Sequence, residues 1–196
     1  MKILRIILTS ATILMMALIF WFSAQPADES SEMSTSVGLT IGRIFVPDFE
    51  EKTEAEQILY AQSIDHPVRK CAHASEYAIL SALCICTLLS WSCDRKLQQK
   101  DDNNYHPSSA SVTNINKPAA LVTLFGKKIK LKAAISMIVC GWLIATIYAA
   151  TDEFHQLFVD GRACLFTDVM IDSAGAAFAA IIILLIILNA ARRRDS

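Results

Sequence analysis

Two short stretches of this chain carry most of the groups that could do chemistry. The first is Arg69-Lys70-Cys71-Ala72-His73-Ala74-Ser75-Glu76-Tyr77. The second runs from Thr151 to Asp172 and holds Asp152, Glu153, His155, Gln156, Asp160, Arg162, Asp168 and Asp172. On a helix Arg69, His73 and Glu76 stand at i, i+4 and i+7 and share a face, which Lys70 and Tyr77 overlap. Asp152, His155 and Gln156 stand at i, i+3 and i+4, with Glu153 three residues before Gln156. Histidines and carboxylates at such spacing can act as general acid and base, and arginine and lysine can hold a phosphate. His73, Glu76, Asp152 and His155 are also residue types that ligate divalent metals, but no tight ligand motif such as H-E-x-x-H is present, so neither a metal nor another cofactor is expected. A third use of the same residues involves no ligand. Arg69, Lys70 and Arg162 can neutralise Glu76, Asp152, Glu153, Asp168 and Asp172 in a buried network that ties helix ends together. The residue types alone leave a ligand site and a structural network both open.

The elements that must position these groups are membrane helices. The chain has 196 residues, 54% of them apolar, and a mean hydropathy of +0.40, more apolar than an ordinary soluble domain. Four runs, about 3–22, 71–93, 131–150 and 169–191, reach the ~20 residues that cross a bilayer core. The first run exceeds the roughly 7–15 apolar residues of a secretory signal, so it is expected to stay as an anchor, although Ser23-Ala24-Gln25 offers a weak cleavage site. The expected fold is all-α: one membrane domain over 1–196, a bundle of four transmembrane helices with short amphipathic helices in the first outer loop.

Basic residues set the expected orientation. With the N-terminus in the cytoplasm, only Arg43, Lys52, Arg69, Lys70 and Arg162 of the 18 basic residues fall outside. Of the 19 acidic residues, only Asp94, Asp101, Asp102 and Asp195 then fall inside. The expectation is a multi-pass protein of the cell membrane with both termini cytoplasmic and both polar clusters at the outer face. Residues 94–118 are polar and lack periodicity, as a flexible cytoplasmic loop would. In the outer segment, Met33, Val37, Ile41, Ile44 and Phe45 recur at helical spacing, with Ser30 or Ser31 as candidate caps. Thr53 and Glu56 fit a capping box, and Asp65 with Pro67 marks a helix start that leads into the second span. Asp168 suits the unpaired N–H groups at the start of the fourth span. Gly175, Ala176, Ala179 and Ala180 let a neighbouring helix come close, which places Asp172 toward the bundle. Cys71 and Cys164 fall near the same end, with nothing in their spacing to pair them, and no CxxC is present. There is no phosphate loop, dinucleotide fingerprint or nucleophile elbow. Membrane lipid is the expected partner and nucleic acid is not.

Three motifs in order resemble a known family. RKCAHASEY resembles the R-K-x-x-H-x-x-E-Y pattern of VanZ-like proteins. TDEFHQLFVDGRACLFTDVMIDSAG resembles their D-E-x-H-Q-x-F-x-x-G-R followed by D-V-x-x-N-x-x-G, and WFSAQP resembles their F-S-S-Q-P turn. The match spans most of 18–185, with 94–118 outside it. Its positions are Arg69, Lys70, His73, Glu76, Tyr77, Asp152, Glu153, His155, Gln156, Gly161, Arg162, Asp168 and Gly175. Asp172 stands where the family usually has asparagine, and Asp160 where proline often precedes the glycine. The resemblance implies a small bacterial integral membrane protein of the cell envelope, of the kind associated with resistance to the glycopeptide teicoplanin. The expected function is binding or modifying a lipid-linked or wall-associated ligand at the outer polar site, with an accessory role in which the cluster is structural as the alternative. The resemblance brings no catalytic assignment.

Overall fold

The computed structural model describes residues 2–92, 121–124 and 127–192. The linker expected at 94–118 lies outside them. Helices dominate: α1 Lys2–Ser23, α2 Ala27–Phe45, α3 Glu54–Ser63, α4 Asp65–Ser92, α5 Leu131–Gln156 and α6 Phe166–Arg192. A short 3-10 turn, Phe49–Glu51, joins α2 to α3. Four of these helices, α1, α4, α5 and α6, are long and apolar enough to cross a membrane.

Those four form the bundle. Its core combines small residues, Gly141, Ala145 and Ala149 on α5 and Ala176 and Ala180 on α6, with large ones such as Ile19, Tyr77, Leu80, Ile85 and Leu89. Many other large apolar side chains point outward, as Ile3, Ile6, Phe178, Leu185 and Ile186 do. A surface of that size would drive a soluble protein to aggregate. Against lipid tails it carries no penalty, and helix association falls to close packing of small residues. α4 is central, touching α1 on one side and α5 and α6 on the other. The helices alternate in direction, so the ends of α1 and α5 meet the starts of α4 and α6 at one end, here called the polar end.

The opposite end is held by Arg5, whose Nε donates to the Ser90 carbonyl at 3.1 Å and whose guanidinium lies 5.3 Å from the Trp91 ring centroid. That bond and cation–π contact tie the start of α1 to the end of α4. An antiparallel hairpin, β1 Leu121–Leu124 and β2 Lys127–Lys130, leads into α5 with Leu121 opposite Lys130. Ile129 is buried against the cluster of Leu89, Ile138 and Ile187. The all-helical expectation holds for the bundle; the hairpin is an addition, too short to show a strand period in sequence.

Outside the bundle, α2 and α3 pack together beside α4. α2 starts at Ala27, directly after Pro26, a turn earlier than the Ser30 or Ser31 cap expected from sequence. Ser30, Ser34, Gly38 and Gly42 form its buried face. A Cβ on Gly42 would lie 2.4 Å from the Phe49 ring, and one on Gly38 would lie 3.1 Å from Ala61. Its apolar stripe, Met33 and Val37, is left half exposed. α3 opens with the expected capping box: Glu56 Oε2 accepts from the Thr53 N–H at 2.9 Å, and Thr53 Oγ1 accepts from the Glu56 N–H at 3.4 Å.

Candidate functional site

The polar end is assembled from four helix ends and two turns. α4 begins at Asp65 and runs unbroken into the bundle, so its first turns stand above the apolar span. Asp65 Oδ2 pairs with Arg69 Nη2 at 2.7 Å and its other oxygen accepts from Ser34 of α2. One position on, Lys70 pairs with Asp168 in the first turn of α6. This cross-link needs α4 and α6 to be close, and Gly175 provides that: a Cβ there would meet the Ala74 carbonyl oxygen at 2.2 Å.

α5 runs past Ala150, where the apolar span was expected to stop, to Gln156. Its extra turns bring Asp152, Glu153 and Gln156 inside, each nearly fully buried. The buried Ser23 hydroxyl donates to Asp152 Oδ2 at 2.5 Å and accepts from Gln156 Nε2 at 3.3 Å, so the end of α1 is clamped to the end of α5. Glu153 Oε2 accepts from the Leu165 N–H at 3.2 Å, which fixes the approach to α6.

The turn between α5 and α6 is closed by Gly161, at φ 72°, a left-handed conformation that glycine adopts without Cβ strain. The Ala27 N–H donates to the Asp160 carbonyl at 3.2 Å, and Arg162 Nε donates to the Gln25 carbonyl at 3.2 Å. Both bonds join this turn to the turn between α1 and α2. Burial pushes the Arg162 guanidinium below its ordinary pKa, and the like charge of Arg69 adds to that, while Asp152 and Glu153 oppose it.

Two cavities meet here. A polar one of about 160 Å³ has Arg69, Lys70, His73, Glu153, Gln156, Arg162, Asp168 and Asp172 among its lining residues. A larger groove of about 670 Å³ runs between α2, α3 and α4. Met33, Val37, Ile41, Ile64 and Val68 make it apolar, and Glu76 lies on its α4 side. Arg69, His73 and Arg162 line both cavities and so form the wall between them.

The sequence-derived cluster is therefore largely, but not wholly, convergent. Eight of its members line the polar cavity. Tyr77 and Asp152 are buried but line neither cavity; the Tyr77 hydroxyl interacts electrostatically with Asp152 without reaching hydrogen-bond geometry. Glu76 opens to the groove, with its Oε2 3.6 Å from His73 Nδ1. His155 turns away, its ring stacked 4.4 Å from Phe20. Among the described residues, His73 Nδ1, His155 Nδ1, Asp152 Oδ1 and the Tyr77 hydroxyl are buried with no hydrogen-bond partner in the protein. Also among the described residues, no three His, Cys, Asp or Glu side chains are placed to hold a metal ion, and Cys71 and Cys164 are both free. The arrangement can take a small polar group beside His73, with Glu76 close by as a second titratable group.

Sequence reasoning passed over Ser23, Gln25, Ser34 and Asp65 as site residues. Ser23 and Gln25 had a signal, because both lie in the WFSAQP turn; its role is to hold Asp152 and Arg162. Ser34 had none, since a lone serine on an amphipathic helix says nothing of what its hydroxyl meets.

No curated relative and no solved structure matches the chain. The family model VanZ/LLP1 matches residues 8–188. That range takes in α4, α5, most of α1 and α6, and every residue of both cavities, and the chain belongs to the VanZ/LLP1 family.

Proposed function

We propose that this VanZ-family membrane protein sits in the bacterial cell membrane with both termini cytoplasmic, binds a lipid-linked or wall-associated ligand at its outward-facing polar end, and thereby contributes to tolerance of glycopeptides such as teicoplanin. The excess of basic residues on the opposite side supports the orientation. One observation carries the site: His73 Nδ1, on the wall shared by the two cavities, is buried without a hydrogen-bond partner among the described residues. A network selected only to tie helices together would satisfy its buried polar atoms, since each unpaired one costs about 1–3 kcal/mol. Atoms left open at a cavity wall suit a ligand that completes them.

A second reading has its own support. The Ser23–Asp152–Gln156 chain and the Glu153 bond to Leu165 fasten helix ends whether or not anything binds. Alanine at His73, Glu76, Asp152 and His155 separates the two, with teicoplanin susceptibility and membrane abundance measured together. The ligand reading expects His73→Ala and Glu76→Ala to lose protection at normal abundance. Loss of protection only in step with abundance would overturn it in favour of the structural reading. A reporter fused to the C-terminus and found outside the cytoplasm would overturn the orientation.

A further inference from the structure

We propose that the apolar groove and the wall where Arg69 meets Arg162 together bind a phosphate-bearing membrane lipid, with one hydrocarbon chain along the groove and the phosphate between the two guanidinium groups. The inference rests on the reading of the polar end as a ligand site and names the class of ligand.

Charge complementarity at the groove's inner end carries it. Arg69 and Arg162 line both cavities, and the charge of Arg69 acts on Arg162. Arg69 has Asp65 as its ion-pair partner, and Lys70 has Asp168. Arg162 has no ion pair among the described residues; its Nε goes to a neutral carbonyl. Two cations, one of them half-buried and in no ion pair among the described residues, stand where the apolar groove meets the polar cavity. A phosphate suits both, because the guanidinium fork matches two of its oxygens. Glu153, Asp168 and Asp172 line the polar cavity beyond, and they keep an anion at the wall rather than letting it pass deeper.

The groove fits a chain. From Met33 to Ile41 it follows α2 for about 12 Å at the helical rise, and its volume lies within the range of small-molecule sites. Met33 and Val37 are half exposed along it, so a chain can enter from the side. A chain moving from lipid to this groove leaves one apolar medium for another and gains little. Selection therefore falls on the phosphate, and the protein should discriminate by headgroup more than by chain length.

The test is lipid retention on the purified full-length protein, read by native mass spectrometry with phosphatidylglycerol, with diacylglycerol as a phosphate-free lipid of the same chains, and with inorganic phosphate. Wild type is expected to prefer phosphatidylglycerol by about tenfold or more, and Arg162→Gln to cut that preference to about threefold or less. Arg162→Lys, which keeps the charge, should retain most of it. Ala72→Phe, at an exposed groove position whose side chain makes no hydrogen bond, should lower retention of both lipids with no loss of melting temperature; it decides the matter if Arg162→Gln fails to fold. Equal retention of the two lipids, or an unchanged preference in Arg162→Gln, overturns the proposal. Unchanged retention in Ala72→Phe overturns the chain's place in the groove. Inorganic phosphate displacing the lipid as well as phosphatidylglycerol itself does would make free phosphate the ligand. If His73→Ala and Glu76→Ala lose protection at normal abundance while both lipids bind alike, the polar end remains a ligand site and only the lipid assignment falls.

Discussion

Gly175→Ala tests the close approach on which the polar end depends. A methyl group at this position would lie 2.2 Å from the Ala74 carbonyl oxygen, 2.8 Å from its carbon and 2.9 Å from its Cα. All three are backbone atoms of α4, so no side chain can rotate away. Restoring ordinary van der Waals separation needs α4 and α6 to part by roughly 1 Å, a gap that forfeits up to about half of the dispersion energy along the contact. Overpacking of this kind costs about 1–3 kcal/mol, and a clash with rigid backbone belongs at the upper end. Alanine is otherwise the better helix former, by about 0.5–1 kcal/mol over glycine. The steric effect wins, for a net loss of about 2 kcal/mol. Thermal unfolding of the detergent-solubilised protein should show a melting temperature several degrees lower, and hydrogen exchange should rise at the start of α6. Phe178→Ala is the control, because Phe178 is 64% exposed on the outer surface of the same helix; it should melt as wild type does. A Gly175→Ala protein as stable as wild type, or more so, would refute the close-packing argument and with it the reason given for the Lys70–Asp168 cross-link.

Three further outcomes follow from single contacts. Asp152→Ala leaves the buried Ser23 hydroxyl, which itself accepts from Gln156, without its acceptor, at a cost of about 1–3 kcal/mol; Asp152→Asn, which keeps an oxygen for Ser23, should recover much of the lost melting temperature. Gly161→Ala places a side chain in left-handed backbone and 2.9 Å from the Ala27 Cβ; a loss of about 1–2 kcal/mol is expected, with faster hydrogen exchange at the Ala27 amide. Thr53→Ala removes a helix cap worth about 1 kcal/mol and should raise hydrogen exchange across α3 alone. Hydrogen bonds from Thr53 hold Glu56 below its ordinary pKa. Because the folded value is depressed, this contribution is present above the unfolded glutamate pKa and lost as pH falls through the folded one. Acidification below the usual glutamate range should therefore raise exchange in α3 of wild type more than in Thr53→Ala, which keeps only the backbone bond to Glu56.

How much was legible in the sequence differs from element to element. The spans could be read because a soluble domain rarely strings about 20 apolar residues together. The helix start at Asp65 was legible too, from Asp65 and Pro67. α4 and α5 run on through His66, Arg69, Asp152 and Gln156, since a helix can continue as long as its polar side chains find partners. α2 was found by its apolar stripe, yet the stripe is not its packed face. Met33 and Val37 line the groove, while Ser30, Ser34, Gly38 and Gly42 make the contact, because neighbouring α3 comes too near for larger residues. The hairpin at Leu121–Lys130 gave too short a pattern to be recognised.

The candidate site divides the same way. Helical spacing grouped Arg69, Lys70 and His73, which line one cavity, and the small residues after Asp172 pointed it inward, where it is buried. Spacing also grouped His155 with Asp152 and Gln156, but residues at i+3 and i+4 still differ by about 100° around the axis, enough for His155 to stack on Phe20 outside the cavity. The sequence by itself determined which helices exist, which family the chain resembles and which groups could do chemistry, because those follow from hydropathy and local order along one strand of residues. Only the tertiary structure decided that Ser23 would clamp Asp152 and that Lys70 would reach Asp168. It also brought Arg69 and Arg162 together at the end of an apolar groove. Those contacts join residues up to 129 positions apart, and no local rule couples side chains that become neighbours only when the helices pack.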